Sequence, residues 1–335
     1  MAEAPALSGR RILVTGGAGF IGSNFVHHLL GRWPDAHVVA LDALTYAGRR
    51  ENLDGLNPGA LTFVHGDIRD PAMVARAMAG CDLVVNFAAE SHVDRSIETP
   101  GEFILTDVYG VFVLAEEARR QKVRRFIQVS TDEVYGEVLE GHADERRALE
   151  PRSPYAASKA GGDRLAYAYW TTYGLPVVVT RCSNNYGPRQ YPEKLVPLFV
   201  TNLLDRIPVP LYGDGLHRRD WLHVDDHCRG IQLALTSGRP GRVYHVGGGT
   251  ELTNRDLTLR LVDAVGVPRD LVQPAPDRRA HDRRYCLDTS RTEAELGYRP
   301  RVAFDDGIAA VVAWYRENRA WWEPLKRAHA TAREP

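Results

Sequence analysis

The chain has 335 residues, 44% of them hydrophobic, and its 42 Lys and Arg residues nearly balance 43 Asp and Glu residues to give a formal net charge of −1. A chain of this length and apolar content can bury a large core and is expected to form two substructures. The balanced charge gives no attraction to nucleic acid or to an anionic membrane, and no apolar run approaches the roughly 20 residues that a membrane span needs.

The first nine residues lack the charged and apolar regions of a signal peptide, and a core strand begins almost at once. The cysteines lie far apart and form no C-x-x-C pair; they are Cys81, Cys182, Cys228 and Cys286. This pattern favours buried thiols in a reducing compartment over a disulfide or a metal site. We therefore expect a cytoplasmic protein that acts on neither membranes nor nucleic acid.

An apolar strand that begins at Arg11 runs directly into the glycines of G-G-A-G-F-I-G, and an amphipathic helix follows. Gly16 allows a tight turn, and Gly19 lets backbone N–H groups approach a diphosphate at the helix N-terminus. Gly22 lets the helix and the strand pack closely. The first gap is one residue longer than in the G-x-G-x-x-G fingerprint. The pattern predicts dinucleotide binding, against the alternative of an ordinary strand–turn–helix joint.

A second predicted strand, His37 to Leu41, ends in Asp42, about twenty residues beyond Gly22. An acid at this position accepts hydrogen bonds from both ribose hydroxyls of NAD and repels the 2′-phosphate of NADP. Arg49 and Arg50 leave NADP as an alternative, although they lie well past the strand end. The sequence therefore predicts NAD as the cofactor.

Strand-like and helical segments alternate through the first half of the chain. The predicted strands are Leu61 to His65, Leu83 to Phe87, Arg125 to Ser130 and Pro176 to Thr180, and the predicted helices are Pro71 to Ala79, Phe103 to Lys122 and Ser153 to Tyr173. This alternation predicts an α/β fold with a Rossmann-type, doubly wound parallel sheet. Ligands bind at the carboxyl ends of such strands. Polar residues follow three of them, at Asp67, at Ala88 to His92 and at Thr131 to Glu133.

Five side chains that handle protons or hydrogen bonds lie in S-T-D-E-V-Y-G and Y-A-A-S-K. Tyr155 and Lys159 are four apart in a predicted helix and project from one face. An ammonium near a phenol lowers the pKa of the phenol, so Tyr155 is a candidate base. Asp132 and Glu133 add acid/base groups that a simple alcohol dehydrogenase does not need. The alternative is a surface Tyr–Lys pair and a solvated Asp-Glu dipeptide.

The alternation of strands and helices stops after Arg181, and a polar, turn-rich stretch continues to Gly215. Further elements are predicted at Val224 to Ser237, Val243 to Val246, Asn254 to Val265 and Phe304 to Arg319. We expect an NAD-binding Rossmann domain over residues 9–182 and about 220–248. A smaller mixed α/β substrate-binding domain is expected over residues 183–219 and about 249–325.

Eight motifs carry a resemblance to a known family. They are the three above together with D-A-L-T-Y-A-G, A-A-E-S-H-V-D-R-S, N-N-Y-G-P-R-Q-Y-P-E-K-L, R-D-W-L-H-V-D-D-H and H-D-R-R-Y. Over nearly its whole length the chain resembles the extended short-chain dehydrogenases/reductases, and within them the dTDP-glucose 4,6-dehydratases. Asp132 is the discriminating residue, because related decarboxylases and GDP-mannose dehydratases usually have Ser there and epimerases usually lack the acid pair.

The resemblance implies dehydration of a nucleotide-activated glucose to the 4-keto-6-deoxy sugar. NAD would take a hydride from carbon 4 while Tyr155 takes the hydroxyl proton, with Lys159 orienting the nicotinamide ribose and Thr131 bound to the same hydroxyl. Glu133 would then remove the carbon-5 proton, and protonated Asp132 would give its proton to the departing carbon-6 hydroxyl. The hydride would return to carbon 6.

The resemblance also implies binding residues and a homodimer. Implied cofactor contacts are Gly16, Gly19, Phe20, Ile21, Gly22, Asp42, Leu44, Thr45, Gly48, Asp67, Ile68, Ala88, Ala89, Thr106, Tyr155, Lys159 and Asn185. Implied contacts to the nucleotide sugar are Ser91, Thr131, Asn184, Lys194, Leu195, Pro210, Tyr212, Arg219, Asn254, His281 and Tyr285. Arg219 suits a diphosphate clamp; its alternative is an ion pair with a carboxylate. This chain departs from the family at Arg279-Ala280, where Pro-Gly is usual, and at Asp107, where Asn is common.

Other functions remain as alternatives. A nucleotide-sugar 4-epimerase or a UDP-glucuronate decarboxylase would share the cofactor and the Tyr155–Lys159 pair, and a non-catalytic NAD sensor would need only the glycines. His223 and His227 invite a metal site, but they straddle a predicted strand-to-helix change, so we expect no metal. The arginines near H-D-R-R-Y invite nucleic-acid binding, which the neutral charge disfavours; they are Arg278, Arg279, Arg283 and Arg284.

Overall fold

The computed structural model describes residues 7–277 and 281–331. Its strands are β1 (Arg11–Thr15), β2 (His37–Asp42), β3 (Leu61–His65), β4 (Leu83–Asn86), β5 (Arg125–Thr131), β6 (Val177–Cys182), β7 (Asn184–Tyr186), β8 (Val209–Tyr212), β9 (Arg218–His223), β10 (Val243–Val246), β11 (Glu251–Thr253) and β12 (Val272–Ala275). Seven of them form a sheet in the order β10-β6-β5-β4-β1-β2-β3. Every pairing in that sheet is parallel.

Helices cover both faces of this sheet. The helices are α1 (Phe20–Arg32), α2 (Pro71–Met78), α3 (Val93–Glu98), α4 (Pro100–Ile104), α5 (Val111–Arg120), α6 (Pro154–Tyr173), α7 (Leu195–Leu204), α8 (Val224–Ser237), α9 (Asn254–Val265), α10 (Ser290–Leu296), α11 (Phe304–Glu317) and α12 (Arg319–Thr331). One buried cluster packs α1 and α8 against the sheet, and another packs α2, α5 and α6 against its opposite face. The predicted doubly wound, Rossmann-type parallel sheet is therefore confirmed.

Local sequence explains where α6 begins and ends. The Ser153 hydroxyl accepts a hydrogen bond from the Ala156 N–H at 3.1 Å, and Pro154 occupies the first helical position. Gly174 ends the helix in the left-handed conformation, with φ of 70°. These caps place Tyr155 in the first turn, at the end of the helix that faces the carboxyl ends of the strands.

The predicted helical segment from Phe103 to Lys122 is helical from Pro100 to Arg120, but it contains a π-helical turn at Leu105–Gly110, between α4 and α5, that the sequence did not predict. The close packing of α6 against this turn supplies the physical reason. A Cβ atom on Gly162 would lie only 2.2 Å from the Asp107 carbonyl oxygen. The π turn thus lets the Asp107 backbone rest directly on α6, as π-helical turns inside helices frequently do near functional sites.

Two smaller sheets build the rest of the molecule. One has the order β11-β9-β7 and the other pairs β12 with β8. Helices α7, α9, α11 and α12 pack with them around a third apolar cluster, whose largest fully buried side chain is Trp322. The chain returns to the large sheet at β10, after these elements have begun. The domain boundaries given above stay a prediction.

Sequence patterns did not reveal β7, β8, β9, β11 and β12. These strands are only three to six residues long, and short strands carry too few residues to show a period. None of the helices in residues 7–277 and 281–331 combines the length and the apolar character that a bilayer crossing demands.

Candidate active site

A cleft of about 320 Å³ opens at the carboxyl ends of the central strands, where ligands bind in open α/β sheets. All the predicted cofactor residues except Leu44 line it, namely Gly16, Gly19, Phe20, Ile21, Gly22, Asp42, Thr45, Gly48, Asp67, Ile68, Ala88, Ala89, Thr106, Tyr155, Lys159 and Asn185. Also in its wall are Ser91, Thr131, Asp132, Glu133, Asn184 and Lys194. The structure therefore brings the glycine turn and the acid/base residues into one cleft.

The glycine turn is shaped for a dinucleotide. Gly16 has a φ of +64°, in the left-handed region that favours glycine. A Cβ atom on Gly22 would lie 2.1 Å from the Gly16 carbonyl oxygen, so α1 can start this close to β1 only with glycine there. No side chain among the described residues caps the N-terminus of α1 at Gly19. Its first N–H groups are thus available to a diphosphate, which fits NAD.

Asp42 organises the loops around this turn. One carboxylate oxygen accepts a hydrogen bond from the Ala18 N–H at 2.9 Å, and the other accepts one from the Leu44 N–H at 2.8 Å. Burial raises the pKa of this carboxyl, and these hydrogen bonds oppose the rise. Each carboxylate oxygen can accept a second hydrogen bond, so Asp42 can still receive ribose hydroxyls. Leu44 reaches the site through its backbone only.

Tyr155 and Lys159 lie on one face of α6, as predicted. The Lys159 ammonium donates to the Val129 carbonyl oxygen at 2.8 Å and is anchored on β5. The expected lowering of the Tyr155 pKa is wrong for the protein alone. Burial raises this pKa well above its ordinary value, and the charges of Glu133 and Asp107 add to the rise. The phenol is therefore neutral until further positive charge arrives.

The two adjacent carboxyls occupy a one-turn 3₁₀ helix, Asp132–Tyr135, that follows β5. Thr131 caps it: its hydroxyl accepts from the Glu133 N–H at 3.3 Å and donates to Asp132 Oδ1 at 3.1 Å. Burial, and then the charge of Glu133, raise the pKa of Asp132 to about 8. Asp132 Oδ2 has no partner among the described residues. Asp132 is thus a protonated acid at neutral pH, with one oxygen still available to a ligand.

Asp107 lies close enough to Lys159 to interact with its charge, and two hydrogen bonds hold its carboxylate in place. Its Oδ2 accepts from the Ser158 hydroxyl at 2.7 Å, and its Oδ1 accepts from the Glu90 N–H at 3.0 Å. The side chain is buried, and burial raises its pKa to about 6 against the opposing charge of Lys159. An Asn could accept through only one of these two atoms. The departure from the family at this position therefore adds a charge beside the Tyr155–Lys159 pair.

The predicted contacts to the nucleotide sugar divide into two groups. Ser91, Thr131, Asn184 and Lys194 line the cleft, and the Lys194 ammonium donates to the Ser91 carbonyl oxygen. The other group does not line it and consists of Leu195, Pro210, Tyr212, Arg219, Asn254, His281 and Tyr285. Their roles, like those of the other site residues, stay predictions.

Arg219 nevertheless reaches the acid pair from the other side. Its guanidinium lies 4.3 Å from the centre of the Tyr285 ring, and it donates to the carbonyl oxygens of Arg218 and Asp282 at 2.7 and 2.8 Å. Its charge acts to lower the pKa of Asp132. Across residues 7–277 and 281–331, no carboxylate forms an ion pair with Arg219. Carbonyl partners leave its charge available to an anion.

The two histidines that invite a metal site have separate roles. His223 Nδ1 accepts from the Asp225 N–H at 3.3 Å and caps α8. His227 is buried, and its Nδ1 contacts Asn185 Oδ1 at 2.9 Å. In the described part of the chain, a different trio could hold an ion, consisting of His217, Asp277 and His281. The rings of His217 and His281 are stacked at 3.6 Å with an angle of 12°, so their in-plane lone pairs run parallel and do not converge on one point.

The arginines of the H-D-R-R-Y region are engaged with carboxylates. Arg283 pairs with Asp214 at 2.8 Å and Arg284 pairs with Glu251 at 2.8 Å. Such pairing disfavours the nucleic-acid alternative. Arg278, Arg279 and Ala280 lie outside the described residues.

Several cleft residues were not predicted individually. Glu90, Gln190, Tyr191 and Glu193 are among them. Glu90 belongs to the polar set Ala88 to His92 that the strand-end rule identified, but no role was assigned to it. The other three belong to the motif N-N-Y-G-P-R-Q-Y-P-E-K-L. This motif is rich in turns and has no helical or strand periodicity that would predict which side chains face the cleft.

Known proteins match most of the chain. The sequence model of a family described as GDP-mannose 4,6 dehydratase matches residues 13–311. A protein of Streptomyces antibioticus named dTDP-glucose 4,6-dehydratase is 59% identical over 329 residues, which cover 97% of this chain and 98% of that protein. The chain belongs to the dTDP-glucose 4,6-dehydratase family. A second family member, from Streptomyces niveus, is 55% identical over 321 residues, 94% of this chain and 96% of its own length.

Solved structures of this dehydratase family have the same fold. DesIV, the dTDP-glucose 4,6-dehydratase of Streptomyces venezuelae, crystallised with NAD and TYD, matches with a TM-score of 0.91 and 58% identity over 94% of this chain and 99% of that one. A UDP-glucose 4-epimerase of Thermus thermophilus in complex with NAD matches with a TM-score of 0.85 and 37% identity over 92% and 99%. The fold is thus common to both activities, and the site must discriminate between them.

Proposed function

We propose that this protein is a dTDP-glucose 4,6-dehydratase that converts a nucleotide-activated glucose into the 4-keto-6-deoxy sugar. The observation that carries this proposal is the acid pair, in which the buried Asp132 is held protonated by a pKa of about 8 beside the partly buried Glu133. Elimination of water needs an acid for the departing hydroxyl and a base for the neighbouring carbon. Mutual repulsion and burial keep two carboxyls in these different protonation states.

The cofactor is NAD, which Asp42 and the glycine turn are suited to hold. When bound, NAD supplies a positively charged nicotinamide that accepts a hydride from carbon 4 and returns it to carbon 6. Tyr155 is the base for the carbon-4 hydroxyl. Because its pKa is raised in the protein alone, it depends on Lys159 and on that added positive charge to become a phenolate.

Thr131 holds the carbon-4 hydroxyl through its own hydroxyl group, at the end of β5. Once carbon 4 is a ketone, the hydrogen on carbon 5 becomes acidic, and the Glu133 carboxylate removes it. Asp132 donates its proton through Oδ2 to the carbon-6 hydroxyl, which leaves as water. Each such acid/base step contributes on the order of 10²–10⁴-fold to the rate.

A nucleotide-sugar 4-epimerase or a UDP-glucuronate decarboxylase needs no acid to expel a carbon-6 hydroxyl. Neither activity accounts for the cost of burying the Asp132 carboxyl. The acid pair therefore favours the dehydratase over both alternatives, and a reactive set of this kind also argues against a protein that only senses NAD.

Incubation with a panel of nucleotide-glucoses tests the proposal directly. We expect the dTDP-glucose product to lose the mass of one water and to develop the alkaline absorbance of a 4-keto sugar. With substrate deuterated at carbon 4, the label is expected on the new methyl group. A product of unchanged mass would identify an epimerase instead, and loss of carbon dioxide from UDP-glucuronate would identify a decarboxylase.

We propose further that two copies associate through one apolar face. Ile104, Leu105, Tyr109 and Phe112 are 40–51% exposed and lie along the segment from α4 to α5, and the rings of Tyr109 and Phe112 are 5.8 Å apart. An exposed apolar row of this kind suits a self-complementary contact with a second copy. The double variant Tyr109→Asp, Phe112→Asp should be a monomer in light scattering, and an unchanged mass would contradict this interface.

We also propose that the protein acts in the cytoplasm. All four cysteines are free and buried, which suits a reducing compartment. Fractionation of the native cells, with detection of the 4-keto product in each fraction, tests this location.

A further inference from the structure

We propose that a buried chain of polar contacts, Asp163–Arg181–Tyr135–His245, holds the acid pair in place relative to α6, the helix that carries Tyr155 and Lys159. None of these four residues lines the cleft described above, so they are positioning residues and not catalytic ones. The inference rests on the proposed function, because it concerns how the elimination residues are kept in place.

The chain of contacts starts on the catalytic helix. Tyr155, Lys159 and Asp163 follow one another at intervals of four residues, so they share one face of α6. Asp163 is fully buried. Its two oxygens accept from Arg181 Nε and Nη2 at 2.8 and 3.1 Å. This paired contact fastens α6 to β6, and it is the kind of contact in which planar guanidinium gives both strength and direction.

The same guanidinium also reaches the turn that carries the acid pair. Arg181 Nη1 donates to the Tyr135 hydroxyl oxygen, and the guanidinium carbon lies 4.8 Å from the centre of the Tyr135 ring. Tyr135 is the last residue of the one-turn helix that begins with Asp132. One arginine therefore joins the helix of the oxidation base to the turn of the elimination residues.

At the far end of these polar contacts, both ring nitrogens of His245 have hydrogen-bond partners, and these partners determine which atom donates in each hydrogen bond. His245 Nδ1 lies 2.8 Å from the Asp288 carbonyl oxygen, which can only accept, so Nδ1 carries the proton. Nε2 then accepts from the Tyr135 hydroxyl at 2.6 Å. Burial keeps the imidazole neutral. Tyr135 thus accepts from Arg181 and donates to His245, and both of its hydrogen-bonding capacities are used in holding the turn.

The position of the turn matters because the protonation of Asp132 depends on burial. If the Tyr135 hydroxyl is removed, Arg181 still holds Asp163 and α6, but the turn loses its hydrogen bonds to Arg181 and His245. We expect Asp132 then to become more solvated, which lowers its pKa. Binding of the nucleotide sugar should change little, since none of these residues lies against the cleft.

The test compares Tyr135→Phe with a matched variant, Tyr244→Phe. Tyr244 precedes His245 on β10, is fully buried, and donates its hydroxyl to Glu295 Oε2 at 2.8 Å. Both changes remove one buried, hydrogen-bonded phenol hydroxyl, but only the first reaches the acid pair. For Tyr135→Phe we expect kcat to fall about 10-fold or more while KM stays within about twofold, the pattern of a lost transition-state interaction. Tyr244→Phe should leave both constants within about twofold of wild type.

The pH profile separates positioning from general destabilisation. In the wild type we expect activity to decline above about pH 8, as Asp132 loses its proton. In Tyr135→Phe this alkaline limb should move to lower pH, whereas in Tyr244→Phe it should stay in place. The proposal would be overturned if the two variants lost kcat equally and kept the alkaline limb of the wild type. A Tyr135→Phe enzyme with wild-type kcat would also overturn it.

Two further measurements keep the inference testable. If Tyr135→Phe does not fold, Arg181→Lys replaces it, because an ammonium keeps the charge but lacks the planar fork that serves two partners; the same shift of the alkaline limb is expected. If the wild-type protein dehydrates no nucleotide-glucose, the proposed function has failed on its own. The network is then judged by carbon-13 NMR titration of Asp132, where an equal pKa in both tyrosine variants would reject it.

Discussion

The edge of the central sheet and the region built from the two small sheets contribute differently to this protein. At the sheet edge, the glycine turn after β1, Asp42 at the end of β2 and the acid pair after β5 face the cleft, and α6 adds Tyr155 and Lys159. On the other side, Arg219 and Tyr285 approach the acid pair from β9 and from the segment before α10. The first region holds the acid/base groups on the large sheet. The second region places a positive charge, Arg219, and an aromatic ring, Tyr285, near them.

This difference suggests that the two regions control different kinetic constants. Residues on parallel strand ends are held by neighbouring strands on both sides, and their change should lower kcat. Residues of the second region are proposed to bind remote parts of the substrate, and their change should raise KM. Five variants test that division, from the largest expected effect to the smallest.

Tyr155→Phe should have the largest effect, a loss of about 10³–10⁴-fold in kcat, because it removes the proposed base for the carbon-4 hydroxyl. The ring still fills its place, so the NAD content of the purified protein should match wild type. Steady-state assay and cofactor extraction measure the two quantities. Near-normal turnover would reject the base assignment.

Glu133→Gln should lower dehydration by about 10²–10³-fold while oxidation at carbon 4 continues. The amide keeps the size of the side chain but cannot accept the carbon-5 proton. Rapid quenching should therefore trap a 4-keto sugar that still has its carbon-6 hydroxyl. Release of the 4-keto-6-deoxy product at the wild-type rate would show that another group is the base.

Arg219→Met tests the second region and should raise KM about 10-fold, with a smaller change in kcat. The neighbouring Arg218, which is exposed and pairs with Glu251 at 3.3 Å, provides the control variant Arg218→Met. A large fall in kcat for Arg219→Met at unchanged KM would erase the distinction between the two regions.

Asp132→Asn should stabilise the fold at neutral pH by up to about 4 kcal/mol while lowering activity. The folded pKa of about 8 exceeds the unfolded value of about 3.9, so the folded protein keeps a proton that the unfolded chain releases. The cost of the wild-type carboxyl therefore grows as pH rises from about 4 to about 8. Thermal melts of both proteins should coincide near pH 4 and diverge at pH 8; parallel curves would contradict the raised pKa.

Asp107→Asn should have the smallest effect, a change of less than about threefold in kcat. It should also shift the acidic limb of the pH–rate profile, which reports the ionisation of Tyr155. Asp107 adds to the rise of the Tyr155 pKa, so removing its charge should move that limb to lower pH. The control is Asp67→Asn, a change of the same kind at another cleft carboxyl, which should leave the limb in place. A shift to higher pH would show that Asp107 supports the phenolate.

Much of this site could be predicted because its residues follow strands of one parallel sheet. Asp42, Ala88 and Thr131 each come directly after a recognisable apolar run, and the carboxyl ends of such strands meet at one edge. By contrast, the π turn at Asp107 depends on the close approach of Gly162, more than fifty residues away in the chain. The pairing of β8 with β12 joins Val209 to Val272, and nothing local in either strand specifies that partner.

The amino-acid sequence alone determined the strands of the large sheet, the glycine turn, the Tyr155–Lys159 spacing and the family to which the chain belongs. These features are set by neighbours within a few residues or by motifs that can be read directly. Tertiary structure alone decided which groups are charged, because burial, together with the charge of the adjacent Glu133, keeps Asp132 protonated. Burial and the charges of Glu133 and Asp107 likewise raise the pKa of Tyr155. Protonation depends on the surrounding medium and on long-range charges, and only the folded chain defines these.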